Sequence, residues 1–297
     1  MSYQEAYNHA TRQPEEFWQQ QAEQLHWFKK PTNIVDTSAY ATGRWFDDGE
    51  INTCYLALDH HVINGRADQV AIYYDSPVAN SKASLTYAQL LEKVALFAGV
   101  LRSQGVAQGD RVVIYMPMIV EAAVAMLACA RLGAIHSVVF GGFAAAELAT
   151  RINDAKPKVV VTASCGIEVT KVIAYKPLLN AALDLATHKV DAVLLLQRPQ
   201  QLADMQLGRD VDWHEAVASA VPAEVVPVKS TDPLYILYTS GTTGKPKGVM
   251  RDNGGHAVAL NYSMKAIYGM DPGDVFWAAS DVGWVVGHSY IVYAPLI

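Results

Sequence analysis

The sequence predicts an α/β protein in which a mostly parallel sheet is flanked by helices and preceded by a helical and extended arm. Two observations predict this. Strand-like and helix-like runs alternate from about residue 66 to 196, and the strand-like runs RVVIYM, KVVVTA and DAVLLL are almost wholly apolar. Strands covered by helices on both faces read in this way, whereas strands with one wet face alternate.

The elements follow in order. In the arm, residues 1–65, Phe17, Trp18, Ala22 and Leu25 recur at helical spacing, which predicts an amphipathic helix over Pro14–Trp27. Lys30–Thr53 has few periodic runs and is expected to wrap along a surface. The body, residues 66–297, opens with QVAIYYD as a strand and LTYAQLLEKVALFAGVLRSQG as a helix that Gly105 stops. Then come RVVIYM with a helix over Ile119–Leu132, IHSVVF with one over Ala144–Ala155, KVVVTA with one over Pro177–Thr187, and DAVLLL. Gln197–Ser230 carries Pro199, Pro222 and Pro227 and reads as a connector with one short helix around Trp213. Gly254–Ile267 is expected to be a helix and DVFWAAS, 274–280, a strand.

Composition narrows the function. The chain has 297 residues, 51% hydrophobic and 18% charged, with a formal net charge of −6. That is long enough for one large or two ordinary domains. The acidic balance, with no Lys/Arg cluster beyond Lys29–Lys30 and the lysines at 245 and 247, argues against a nucleic-acid partner, which needs a basic stripe to neutralise phosphates. Cys54, Cys129 and Cys165 lie far apart with no C-x-x-C spacing, and adjacent His60 and His61 point to different faces, so no metal site is expected from them. The N-terminus lacks the basic and apolar regions of a signal peptide, and no stretch reaches ~18 uninterrupted apolar residues. A cytoplasmic protein with reduced thiols and no membrane partner is expected.

The stretch YTSGTTGKPKG, Tyr238–Gly248, concentrates the chemistry. Its glycines allow backbone N–H groups to approach an anion, its Ser and Thr hydroxyls add donors, and its lysines add charge. It is not a P-loop: Thr239 stands where that motif has its first glycine, and Pro246 where it has a magnesium-binding hydroxyl. Gly141–Gly142, after IHSVVF, lack the G-x-G-x-x-G spacing and read as a tight strand-to-helix turn at the carboxyl edge of the sheet, where α/β proteins place ligands.

At nearly every position Tyr238–Gly248 resembles the signature loop of the adenylate-forming superfamily. FWQQQAEQLHWFKKP, RWFDDGEINTCY, VFGGF and DVGWVVGHSYIVYAPL extend the resemblance to the acetyl-CoA and propionyl-CoA synthetase branch, and GVMRDNGG, with Arg251–Asp252, looks closer to propionyl-CoA synthetase. The resemblance implies adenylation of a short carboxylate by MgATP, with release of pyrophosphate, and then displacement of AMP by the thiol of coenzyme A. It implies that Thr239, Ser240, Gly241, Thr242, Thr243, Gly244 and Lys245 hold ATP phosphates and that Lys247 offsets charge on the departing pyrophosphate. It makes Trp284, Val285 and Val286 the wall around the alkyl tail, although GWVVGH reads by itself equally as core packing between two glycines. His288 is expected beside the carboxylate and nucleotide as an orienting group. For coenzyme A the resemblance points to Gly142 and Lys171, while Glu168 reverses the charge the family carries there. The later motifs of the family, which bind adenine and ribose, hold Mg²⁺, form the hinge and carry the catalytic lysine of the mobile C-terminal domain, have no counterpart, so the chain is expected to be an N-terminal fragment of a longer enzyme. The other readings are a non-catalytic relative that binds nucleotide or a partner, and an unrelated phosphate-binding α/β protein. The retained hydroxyls and lysine argue against the first, the arm and GHSY segments against the second.

Overall fold

The computed structural model describes residues 2–38, 43–239 and 246–297. The arm begins with α1 (Tyr3–Arg12), which a Ser2–Glu5 capping box starts, and α2 (Pro14–Ala22), which proline opens at its first turn. The helix expected over Pro14–Trp27 therefore ends five residues early. The Trp27 indole turns back to donate to the Ala22 carbonyl at 2.8 Å, and the chain leaves the helix there. Residues 35–36 and 44–45 pair as a short antiparallel ribbon. The arm's aromatic side, Phe17 and Trp18, meets the Tyr262 ring edge-on at 5.3 and 5.7 Å.

The body opens with a surprise of topology. β1 (Val70–Ser76) forms where a strand is expected, but its partner is β2 (Ser81–Thr86), and the two make an antiparallel hairpin separate from the main sheet. β2 is too polar to announce itself in the sequence. Thr86 then caps α3 (Tyr87–Ser103) through a reciprocal box with Gln89, and Gly105 stops it at φ 77°.

The remaining elements alternate as expected: β3 (Arg111–Tyr115), α4 (Val120–Arg131), β4 (Ile135–Val138), α5 (Ala145–Ala155), β5 (Val159–Ala163), the hairpin β6 (Cys165–Glu168) and β7 (Lys171–Ala174), α6 (Tyr175–Leu185), β8 (Ala192–Leu196), β9 (Asp210–Asp212), α7 (Trp213–Ala218), β10 (Pro233–Thr239), β11 (Lys247–Asp252) and α8 (Gly254–Ala266). The main sheet has seven strands in the order β9-β8-β5-β3-β4-β10-β11, all parallel except the β10–β11 hairpin at one edge. The connector thus contributes an edge strand, β9, which three residues of DVD could not signal.

The DVFWAAS segment is not a strand, contrary to the expectation. Val275 and Trp277 are 70% and 82% exposed, and no neighbouring strand supplies a ladder among the described residues. The last segment is helical throughout, as α9 (Val285–Gly287) running into a π-helical turn at His288–Tyr293 and a final turn at Ala294–Leu296.

The unbroken apolar strands are explained by two cores. Along β5 alternate residues point to opposite faces: Val159, Val161 and Ala163 join the core covered by α3 and α4, and Val160 joins the one covered by α5 and α6. In the first core the Phe97 and Trp213 rings stack at 3.7 Å. The arm is tied to this body by Asn52, whose amide donates to the Ala130 and Val226 carbonyls at 2.8 Å each, and by the Arg131–Asp59 ion pair at 2.8 Å.

Gly99 in α3 faces the backbone of residue 221, and a Cβ there would lie 2.0 Å from the Val221 carbonyl oxygen. The same segment is laced to α3 by the Ala223 N–H, which donates to the Ala95 carbonyl at 2.9 Å. Alanine inside a helix ordinarily gains ~0.5–1 kcal/mol over glycine. Here Gly99→Ala is expected to lower the melting temperature, because the close approach must open. A thermal melt that rises on this substitution would remove the contact from the account.

Candidate active site

Of the described candidate residues, Thr239 and Lys247 stand at the carboxyl edge of the sheet. β10 ends at Thr239 and β11 starts at Lys247, and the two residues pair across the hairpin, both exposed. Ser240, Gly241, Thr242, Thr243, Gly244 and Lys245 lie outside the described residues.

Next to the hairpin stands the turn after β4. The Tyr115 hydroxyl donates to the carbonyls of Gly141 and Phe143, at 3.3 and 3.1 Å, and so holds the turn from below. Two glycines are required because the backbone passes so close to its neighbours: a Cβ on Gly141 would strike the Tyr175 hydroxyl, and one on Gly142 the Phe140 ring. Phe140 and Phe143 lie 5.8 and 6.4 Å from the Trp284 ring, which joins this turn to the last helical segment.

Trp284, Val285 and Val286 are 47%, 42% and 45% exposed. These three side chains are therefore not core residues of this chain, although Gly283, Gly287 and His288 on either side of them are buried. Asp281, at the start of the segment, is a largely buried carboxyl that accepts from the Gly283 N–H at 2.7 Å; burial raises its pKa. Burial, with Asp281 nearby, pushes the Tyr175 phenol up to about 12.

The two remaining described candidates differ sharply in exposure. Lys171 is exposed at the start of β7, directly opposite Glu168 in the β6–β7 hairpin. His288 is completely buried rather than open to a ligand. Its Nδ1 is 3.0 Å from the Trp284 carbonyl oxygen, and its ring lies 5.4 Å from His136 and 4.5 Å from Tyr235. The same interior pocket of polar groups holds His256, whose Nε2 is 3.4 Å from Ser289 Oγ, and Tyr293, whose hydroxyl meets His136 Nε2.

Sequence reasoning missed this cluster because His136, Tyr235 and His256 are scattered across three elements with no shared spacing. It also missed Arg151 and Asp154 on α5. Arg151 is buried, is held by Glu147, and lies over the rings of Phe143 and Tyr238, while the Tyr238 hydroxyl donates to Asp154 Oδ2 at 2.6 Å.

A cavity of about 1330 Å³ lies elsewhere, between α1, β1, residues 270–282 and the end of the last helical segment. None of the described candidate residues lines it. Among the described residues there is no group of three or more His, Cys, Asp or Glu that could hold a metal ion. Among them, too, no helix is long and apolar enough to cross a membrane.

Comparison with known proteins shows the family. Residues 59–297 match the family described as AMP-binding enzyme, and residues 3–57 match the acetyl-coenzyme A synthetase N-terminus. The chain belongs to the AMP-binding enzyme family. It is 56% identical over 297 residues to an uncharacterized protein of Pseudomonas aeruginosa, covering 100% of this chain and 47% of that one. To the mitochondrial acyl-CoA synthetase short-chain family member 3 of Rattus norvegicus it is 55% identical over 285 residues, or 96% of this chain and 42% of the relative. To propionate–CoA ligase of Escherichia coli it is 47% identical over 301 residues, or 100% of this chain and 48% of the relative. The chain thus spans less than half the length of these members of the family, and the branch that the motifs indicated is the one they represent.

The buried histidines make acid a specific stress. Burial lowers the pKa of His288 to about 4, that of His256 to about 3 and that of His136 well below its ordinary value. In the unfolded chain each returns to ~6.5, so below that pH the unfolded state binds more protons and stability falls as pH falls. Each group contributes a slope of up to about 1.4 kcal/mol per pH unit. Asp252 and Asp281, whose pKa values burial raises, act with the opposite sign, but only near the carboxylate range. Denaturation midpoints are therefore expected to be level between pH 8 and 7 and to drop steadily from about pH 6.5 to 5.5. A level profile across that lower window would mean that the histidines are not held neutral in the fold.

Proposed function

We propose that this chain is part of an AMP-forming acid–thiol ligase that activates a short-chain carboxylate, propionate in preference to acetate, through an acyl-adenylate to the coenzyme A thioester. On this reading residues 1–65 are its arm and residues 66–297 a portion of its adenylation domain, and the enzyme works in the cytoplasm on small molecules: the acid, ATP and coenzyme A.

The observation that carries the reading is the register of the β10–β11 hairpin. Thr239 and Lys247 pair at the carboxyl edge of the sheet, so a hydroxyl and an ammonium bracket the signature segment. A carboxylate is a poor acylating agent because oxide is a poor leaving group, and a mixed anhydride with AMP supplies a better one. The protein's work is then positioning and charge stabilisation. Lys247, with Lys245 and the donors of residues 239–244, offsets charge on the departing pyrophosphate. Trp284, Val285 and Val286 face the alkyl tail, and Gly142 and Lys171 take coenzyme A. His288 acts from beneath, fixing the carbonyl of Trp284 instead of touching substrate. Propionate is preferred on two grounds: the Arg251–Asp252 pair of the sequence, and the small size of Val285 and Val286.

Two substitutions in the complete protein test the reading. Lys247→Ala is expected to slow acid-dependent exchange of pyrophosphate into ATP by about a hundredfold, with thioester formation from supplied acyl-adenylate far less affected. Equal slowing of both would give the lysine a structural role. Val286→Phe is expected to depress kcat/KM for propionate more than for acetate, because one methylene in an apolar pocket discriminates by roughly 1–3 kcal/mol and the larger ring removes its space. Equal losses on both acids, with the KM for ATP rising alongside, would take Val286 out of the pocket.

A further inference from the structure

β10 is weakly held on its inner side. Its parallel pairing to β4 consists of Tyr235 opposite His136, so the stretch from Ile236 to Thr239 is laddered to β11 alone. What fixes the end of this strand is therefore a matter for side chains. Helix α5 supplies them. The Tyr238 hydroxyl donates to Asp154 Oδ2 at 2.6 Å, and Arg151, three residues earlier and so on the same side of the helix, sets its guanidinium 5.6 Å from the centre of the Tyr238 ring.

The same guanidinium lies 4.5 Å from the centre of the Phe143 ring, and it cannot swing away, because Nη1 donates to the carbonyl and to the carboxylate of Glu147 at 2.7 and 2.8 Å. Arg151 is 5% exposed. A planar, delocalised cation can stack on two rings at once, which an ammonium cannot. Phe143 in turn meets Trp284. One face of α5 thus touches the strand that leads into the phosphate segment and the turn that supports the acyl wall.

We propose that Arg151, Asp154 and Tyr238 form a brace that holds the end of β10 in register with the Gly141–Phe143 turn and Trp284, and that they are positioning residues for the adenylation step. The inference rests on the ligase reading above. None of the three touches a reacting atom on that reading. They act by keeping Thr239 and Lys247 at a fixed distance from the carboxylate, and a misplacement of ~1 Å in such a site costs up to a hundredfold in rate.

The test uses the complete protein and separates the half-reactions. Tyr238→Phe keeps the ring and loses the hydroxyl; Asp154→Ala loses the acceptor; Asp154→Asn keeps an acceptor oxygen. Tyr238→Phe and Asp154→Ala are each expected to lower acid-dependent pyrophosphate exchange by about tenfold, mostly in kcat, and the double variant to be no worse than either. Asp154→Asn is expected to restore exchange to within about twofold, and thioester formation from supplied acyl-adenylate to stay within about twofold in every variant. Exchange at the parent rate in Tyr238→Phe and Asp154→Ala, additive losses in the double variant, or parallel slowing of both half-reactions would each overturn the brace. A parent protein that exchanges no pyrophosphate with any short-chain acid would overturn the ligase reading and the brace together, whereas an active parent with indifferent variants would overturn the brace alone.

Discussion

A strand with helices on both faces has nowhere to put a polar side chain, and β5 is such a strand: Val159, Val160, Val161, Thr162 and Ala163 are all inaccessible to solvent. Its one hydroxyl, on Thr162, is accepted only because the Tyr115 carbonyl of the neighbouring strand takes its hydrogen bond at 2.9 Å. The consequence reaches the whole molecule. Polar and glycine-rich segments are displaced to the ends of the strands, so the Gly141–Gly142 turn, the facing ends of β10 and β11 and the Asp281–Val286 segment lie at one edge. The helices that cover the faces then serve as the frame against which those loops are fixed, as α5 does for Tyr238 and Phe143.

The border between β4 and β10 breaks this rule. There His136, Tyr235, His256, His288 and Tyr293 are buried together, and His136 Nδ1, Ser137 Oγ, Tyr235 hydroxyl, His256 Nδ1 and His288 Nε2 have no hydrogen-bond partner among the described residues. An unmade hydrogen bond of this kind costs ~1–3 kcal/mol, so the cluster is a poor source of stability. What it does offer is specificity of docking. Stacked imidazole and phenol rings accept few alternative arrangements, and the helical segment that starts at Trp284 is keyed to the sheet through His288. The exposed wall at Trp284–Val286 is thereby fixed from the interior by residues that never reach its surface.

The sequence made the alternation and the parallel sheet legible because every covered strand had to be apolar and every helix had to show a face. β5, β8, α4 and α5 were readable for that reason. The elements that escaped were those whose stability comes from partners. β2 is polar and exists through pairing with β1, β9 is three residues at a sheet edge, and the 274–280 run had strand composition without a neighbour to bond. The site divided in the same way. Lys247, Thr239 and Gly142 could be singled out as candidates because glycines, hydroxyls and lysines in a short loop carry their chemistry locally. Arg151, Asp154 and His136 could not be, since an arginine on a helix looks like a solvated charge until two rings are found beside it. His288 drew notice in the sequence but its burial could not be read there, because nothing in GHSY distinguishes an exposed histidine from a buried one.

On the reading proposed here, the exposure of the acyl wall has a physical consequence of its own. Burying a methylene stabilises by ~0.8 kcal/mol only when it is removed from water on all sides. Trp284, Val285 and Val286, each more than two-fifths exposed, can cover one side of an alkyl tail. The chain also spans less than half the length of the relatives that it matches. Choice between acids that differ by one carbon therefore belongs to the complete protein, while this chain sets how firmly one wall is held. A wall that shifted by a fraction of an ångström would blur the discrimination whatever faced it. The buried ring cluster below Trp284 and the α5 brace beside Phe143 act on that wall from two directions, and so the rigidity that selectivity requires is built from residues outside the pocket.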